Sequence, residues 1–423
     1  MSLLIKNVIL NGEGQDIFIE GNKIKKIGKN LNLRAKEKID AKEEKAVLPG
    51  LINCHCHSPM ALFRGYADDL PLKEWLEKKI WPKEAKLTED DIYWGTKLAI
   101  LEMIKTGTTT FNDMYWFPTA TIEATRELKI RAKIGLILVD FSERGKKENV
   151  EKLFEKLKNS QFETIELSVA PHSIYTVSKE NLIWAKKFAK KNNLSLHIHL
   201  AETENEVKEC QRKYKLRPVE FLEKIGFLDK NCILAHSIWL TEKEIEILKK
   251  RKCNLVYCPC SNMKLASGIF PYQKIKKEKI NICLGTDGPA SNNNLDMFEE
   301  IKFALLLQKV KEKDPAVGSA KEIFKMATIN GAKALGINGG EIKEGKLADL
   351  ILIDLNHIFL VPGYNLISDL VFSANGSCVS DVICNGKILM RDREIEGEGQ
   401  ILNYVKRKYA KKQNKGFSSN FKK

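Results

Sequence analysis

The sequence predicts an α/β fold: a (β/α)8 barrel carrying a small, discontinuous β-sandwich-like domain formed by both chain ends. Three observations carry this. Eight short β-type runs lie between Leu51 and Asp287, helical periodicity fills most of the intervals between them, and both termini hold β-type pieces broken by turn residues. The 423 residues suit one barrel, which takes about 250 residues, plus one small domain.

Residues 1–47 contain β-type pieces at 3–10, 16–20 and 23–27, interrupted by Gly and Asn. The barrel is expected over 48–342, with strands at 51–57, 108–113, 132–139, 164–170, 194–200, 232–236, 254–258 and 280–286. A helix begins at Thr88, where Asp91 three residues on gives a capping-box-like start, and ends before Gly107. Further helical patterns run near 120–128, 150–157, 179–190, 204–214 and 241–250, and two more, near 296–311 and 320–334, close the barrel. Residues 343–423 return to β-type pieces at 350–353, 379–384 and 387–390, with a turn at Asn385-Gly386, and end in a basic tail from 406 to 423. Neither terminal piece can bury a core alone, so the two are expected to pair.

Composition excludes several classes. Hydrophobic residues at 43% and charged residues at 30% describe a soluble globular protein. No apolar run reaches the roughly 18 residues of a membrane span, and residues 1–10 lack a signal-peptide layout, so a cytoplasmic location is expected. The ten cysteines show no paired CxxC spacing and read as reduced thiols. In Cys258-Pro-Cys260 the two thiols would share one face of a strand, as buried small apolar groups. The net charge of +15 comes largely from lysines spread over helix faces with acids nearby, as at Lys186-Lys187 and Lys276-Lys277. That is a solvated surface rather than a nucleic-acid stripe. The tail is expected to be partly helical and frayed.

The chemistry is carried by histidines. In His55-Cys56-His57, at the end of the first barrel strand, residues i and i+2 point to one side and both imidazoles face the barrel mouth. An isolated HxH is more often structural than metal-binding. Here, however, His172 follows the fourth strand, His199 ends the fifth, His236 ends the sixth and Asp287 follows the eighth. Barrel enzymes build their sites from these strand ends. Three histidines and an aspartate suit one divalent ion, zinc first and ferrous iron second, with room for a water. The run Ile165-Glu166-Leu167-Ser168-Val169-Ala170 has no lysine that could be carbamylated to bridge two metals, which points to a single ion. Glu202, three residues past His199, is the candidate proton shuttle; Asp287 can also take the water's proton, and His236 is placed to orient that water. His197 shares the face of His199 but is expected one layer deeper, without a ligand role, and His357 lies outside the barrel.

These residues resemble the amidohydrolase superfamily, and within it the 5-methylthioadenosine/S-adenosylhomocysteine deaminases, a group that includes the archaeal 5′-deoxyadenosine deaminases. The matching stretches are Pro49-Gly50-Leu51-Ile52-Asn53-Cys54-His55-Cys56-His57, Met60-Ala61-Leu62-Phe63-Arg64-Gly65 and Glu74-Trp75-Leu76. They continue with Ala170-Pro171-His172-Ser173, His197-Ile198-His199-Leu200-Ala201-Glu202-Thr203, Ser261-Asn262-Met263-Lys264-Leu265-Ala266-Ser267-Gly268 and Gly285-Thr286-Asp287-Gly288. The late Gly345-Lys346-Leu347-Ala348-Asp349-Leu350 is similar to the superfamily's return into the β-domain.

The resemblance implies metal ligands at His55, His57, His199 and Asp287, a proton shuttle at Glu202, ribose contacts at Glu84 and His172, and a homotetramer. It also implies hydrolysis of an adenine nucleoside to its inosine analogue and ammonia, as a way of handling by-products of S-adenosylmethionine. The chain departs from the family pattern at Cys56, where Thr is usual, and at Leu136 after Gly135, where some members place an arginine that grips a charged amino-acid tail; Arg144 in the next loop is the substitute candidate. The expected substrates are therefore 5′-deoxyadenosine or 5′-methylthioadenosine, followed by S-adenosylhomocysteine and adenosine. Three other readings compete. A guanine, cytosine or triazine amidohydrolase is the nearest, and a non-catalytic protein on the same barrel is a second. A cytidine-deaminase type needs P-C-x-x-C, which Pro259-Cys260-Ser261-Asn262 does not complete.

Overall fold

The structure, a computed structural model, describes residues 2–160 and 162–409. The chain opens with β1 (Ser2–Leu10), β2 (Glu13–Glu20), β3 (Lys23–Gly28), β4 (Glu37–Asp40) and β5 (Lys45–Pro49). The barrel strands follow: β6 (Leu51–Cys56), β7 (Thr108–Tyr115), β8 (Arg131–Leu138), β9 (Ile165–Pro171), β10 (Ser195–Leu200), β11 (Cys232–His236), β12 (Asn254–Tyr257) and β13 (Asn281–Leu284). The last three strands are β14 (Leu350–Asp354), β15 (Val379–Cys384) and β16 (Lys387–Met390).

Strands β6 to β13 form one parallel sheet in chain order, buried on both faces as in barrels wrapped by helices. Its two edges meet through Asp287 N–H donating to His55 O at 3.0 Å and Asn53 Nδ2 donating to Thr286 Oγ1 at 2.7 Å. Gly285 makes the closure possible: a Cβ there would lie 2.8 Å from both N and O of His55. The helix Glu89–Lys105 starts on the expected box, with Asp91 N–H donating to Thr88 Oγ1 and Thr88 N–H to Asp91 Oδ2.

Two expectations are corrected. The helix expected over 320–334 is two, Ala320–Met326 and Ile329–Leu335. The break leaves the Ala327 carbonyl free to accept Ile52 N–H at 2.8 Å, so it satisfies a backbone donor on the first barrel strand. Cys258 and Cys260 do not share a strand face, because β12 ends at Tyr257 and Pro259 opens the helix Pro259–Lys264. Cys258 is buried and Cys260 half-buried.

The two chain ends form a second, mixed sheet in the order β16-β15-β14-β5-β1-β2-β3, with β4 added on β1. It is one branched sheet, with Leu3, Ile5, Ile17, Ile19, Leu350 and Leu352 sharing its core. Gly50 joins β5 directly to β6, where a Cβ would strike Thr109 Oγ1 at 2.1 Å. Arg131 at the start of β8 ties the barrel to this sheet, donating from Nε to Asp349 Oδ2 at 2.7 Å and from Nη2 to Asp349 Oδ1 and Asn385 Oδ1 at 3.1 Å each.

Among the described residues no helix is long and apolar enough to cross a membrane. The helix Glu398–Tyr409 takes the first part of the basic tail; residues 410–423, the remainder, lie outside the described residues.

Candidate active site

All barrel strands run the same way, so their C-terminal ends deliver side chains to one mouth. His55 is fully buried and its Nδ1 hydrogen-bonds His197 Nε2 at 2.8 Å; His197 in turn meets Asn112 Nδ2 at 3.1 Å. His197 thus lies one layer deeper and orients His55, as its register implied. Cys56 turns the other way, toward Asp113 Oδ1 at 3.5 Å. His57 donates from Nδ1 to Met114 O at 2.5 Å, and His199 from Nδ1 to His172 O at 2.7 Å. These two bonds fix the tautomers and leave both Nε2 lone pairs facing inward.

The inward atoms converge. His57 Nε2 lies 3.2 Å from His199 Nε2 and 3.3 Å from Asp287 Oδ1, and His55 Nε2 lies 3.4 Å from the same oxygen. Ligand atoms of His55, His199, His236 and Asp287 all fall within 4.8 Å of one another. The cluster therefore offers five candidates, the four implied ligands together with His236. A cation fits this donor set. Two imidazole lone pairs facing each other at 3.2 Å repel without one, and His55 Nε2 is a buried polar atom with no hydrogen-bond partner.

Electrostatics divide the acids into two kinds. Burial opposes ionisation of Asp287, but positive charge held at the His55 and His57 Nε2 atoms, a proton or the cation that replaces it, outweighs burial and holds the carboxyl well below its usual range. Asp287 Oδ2 accepts from Ser261 Oγ at 2.6 Å and Ser291 Oγ at 3.1 Å, and Oδ1 from Gly288 N–H at 2.8 Å. Glu202 goes the other way: burial first, then the charges of Asp287 and Glu206, push it well above the carboxylate range. Its partner is Ser267 Oγ at 3.5 Å, and His236 Nε2 stands 3.8 Å away. His236 accepts from Asn262 Nδ2 at 2.8 Å, which puts its N–H on Nε2. Burial pushes His236 and His172 down to about 3, so both rings stay neutral.

One cavity holds these groups. Glu84 lines it, buried and held by Trp116 Nε1 at 3.3 Å, with burial raising its pKa. His172 lines it too, its Nδ1 engaged by Thr176 Oγ1 at 3.0 Å. Trp75, Leu76, Trp81 and Phe141 add apolar walls, and among the described residues no Lys or Arg lines it. Arg144 is not brought to the cavity: its guanidinium sits over the Phe117 ring, 4.4 Å from the centroid, where cation–π attraction holds it. His357 is also remote, near Ser377 Oγ at 3.3 Å.

Sequence reasoning gave no role to Ser261, Asn262, Ser267 or Ser291, though the first three lie in a stretch singled out by its resemblance. It also passed over Glu206, whose place three residues after Thr203 reads as a capping box. Glu206 N–H does donate to Thr203 Oγ1, but its carboxylate turns back to accept Ala201 N–H at 2.9 Å and Glu202 N–H at 2.8 Å.

The profile of the amidohydrolase family matches residues 46–389. The chain belongs to the amidohydrolase family. It is 48% identical to the 5-methylthioadenosine/S-adenosylhomocysteine deaminase of Thermococcus sibiricus, covering 92% of this chain and 94% of that one. It is also 48% identical to the 5′-deoxyadenosine deaminase of Methanocaldococcus jannaschii, over 93% and 95%. Among solved structures, an adenosine deaminase from Xanthomonas campestris with bound zinc superposes with a TM-score of 0.92 at 31% identity, covering 98% of each chain.

Proposed function

We propose that this amidohydrolase is a metal-dependent hydrolytic deaminase of adenine nucleosides, favouring those whose 5′ group is uncharged. The observation that carries the reading is the convergence of a metal-capable cluster and the proton-holding Glu202 in one cavity lined, among the described residues, by no Lys or Arg. Names borne by relatives over more than nine-tenths of the chain support the substrate class.

His55, His57, His199 and Asp287 would hold the divalent ion, zinc first and ferrous iron second. Bound there, such an ion supplies a water that ionises near neutral pH, at about pH 7. His236, neutral and with its N–H on Nε2, orients that water toward C6 of the purine. Asp287, ionised, takes the proton the water gives up. Glu202, protonated, gives its proton to the ring nitrogen beside C6 as the C–O bond forms. The exocyclic amine then leaves as ammonia when it receives the proton held by Asp287, and the proton on the C6 oxygen returns to Glu202 as C6 becomes a carbonyl. Glu84 and His172 hold the ribose hydroxyls.

The apolar wall of Trp75, Leu76, Trp81 and Phe141 suits a methyl or methylthio group, and a carboxylate tail would meet no lining cation among the described residues. The reading also includes a cytoplasmic setting, supported by ten free cysteines, and a homo-oligomer, supported by the exposed apolar Ile358, Val361 and Tyr364.

Ammonia release from 5′-deoxyadenosine, 5′-methylthioadenosine, S-adenosylhomocysteine and adenosine on one zinc-loaded preparation tests the reading. The first two are expected to give the highest kcat/KM, by tenfold or more over S-adenosylhomocysteine, about 1.4 kcal/mol. Turnover of guanine or cytosine with none of any adenine nucleoside contradicts it.

A further inference from the structure

Glu300, on the helix Met297–Glu312, has no exposed surface and, among the described residues, no ion-pair partner. A buried carboxyl without a cation is costly, and an apolar side chain of similar size would serve packing better. What it does instead is join two segments. Its Oε1 accepts from Asn292 Nδ2 at 2.6 Å, and its Oε2 from Cys260 N–H at 3.3 Å.

Each segment leads to the candidate centre within a residue or two. Asn292 Nδ2 also donates to Thr286 O at 2.7 Å, so one amide nitrogen ties Glu300 to the backbone immediately before Asp287. Cys260 lies in the first turn of the helix Pro259–Lys264, whose next residue, Ser261, donates to Asp287 Oδ2 at 2.6 Å and lies 3.0 Å from Ser291 Oγ. The residue after that, Asn262, holds His236 Nδ1 at 2.8 Å. Asp287 and His236 both sit in left-handed backbone, at φ 61° and 69°, so their aim depends on what surrounds them.

We propose that Glu300 is a positioning residue: its carboxyl braces the β12 and β13 loops against each other and thereby sets the aim of Asp287 and His236. The role assigned to those two residues rests on the function proposed above; the brace itself rests on the hydrogen bonds. Outer partners of this kind typically change metal affinity or turnover by about 10–100-fold when altered.

The test uses the full-length zinc-loaded protein. Glu300→Gln keeps the volume but turns one acceptor into an amide that faces a donor. Asn292→Ala, at a half-buried position, cuts the same link from the other side and carries the test where the first variant does not fold. Each is expected to lower kcat for 5′-deoxyadenosine about tenfold or more with KM within twofold, and to speed zinc loss to a chelator about tenfold. The double variant is expected to lose no more than the worse single one, since both break one link. Lowered thermal stability with kcat per folded molecule and zinc release both unchanged overturns the proposal, as does additivity of the two variants. A wild type that retains zinc yet deaminates no adenine nucleoside sinks the functional reading alone, and the zinc-release comparison still decides the brace.

Discussion

Ala201, His236 and Asp287, each at or just past the end of a barrel strand, adopt positive φ without being glycine. Such backbone costs about 1–3 kcal/mol per residue and persists where neighbours over-determine it. Here those neighbours are Glu206 for Ala201, Asn262 for His236, and Ser261, Ser291 and Gly288 for Asp287. Two predictions belong to this scale. Glu84→Ala is expected to raise KM for 5′-deoxyadenosine about tenfold or more with a smaller effect on kcat; an unchanged KM in steady-state kinetics removes Glu84 from the ribose. The second concerns pH. Burial pushes the Glu300 carboxyl up to about 8. Its folded-state pKa therefore exceeds its unfolded one, and the folded state keeps a proton that the unfolded chain releases above about pH 4.3. The native state loses stability as pH rises from there to about 8, and Glu300→Gln abolishes that slope. The Tm gap between wild type and variant should shrink from pH 5 to pH 8; a constant gap contradicts the assignment. The histidine cluster was legible in the sequence because its members fall at strand ends. Glu84 was legible only through resemblance, since burial beneath Trp116 leaves no local pattern, and Arg144 was misplaced because nothing local signals its contact with Phe117.

At the scale of elements, all eight barrel strands lie within a residue or two of where alternation of β-type and helical runs puts them. The segment from Ser58 to Glu84 was not legible. It holds a 3-10 turn, a π-helical turn over Trp75–Ile80 and two short α-turns, none with a regular apolar period, yet it walls the cavity with Trp75, Leu76 and Trp81. Irregular helix of this kind gathers at functional sites. Sequence patterns did indicate that the chain ends pair, but the Arg131–Asp349 tie was invisible, being 218 residues apart. Arg131→Met removes the cation and strands a buried carboxylate, so a loss of about 3–5 kcal/mol is expected in chemical unfolding. A loss below about 1 kcal/mol means the tie is not what couples barrel and sheet.

At the scale of the molecule, a closed parallel barrel and a branched sheet from both termini leave one mouth where the histidines, Asp287 and Glu202 meet. The net charge of +15 follows the pattern expected from the sequence, with many lysines paired across surface helices, as in Lys97–Glu127, Lys243–Glu220 and Lys249–Glu278. The central claim is that this mouth couples a bound divalent ion to a carboxyl that carries a proton. The direct measurement is zinc content and turnover of Glu202→Gln beside wild type. Retention of one zinc per chain with kcat for 5′-deoxyadenosine reduced about 10²- to 10⁴-fold is the predicted result. Near-normal turnover, or loss of the zinc along with the activity, contradicts it.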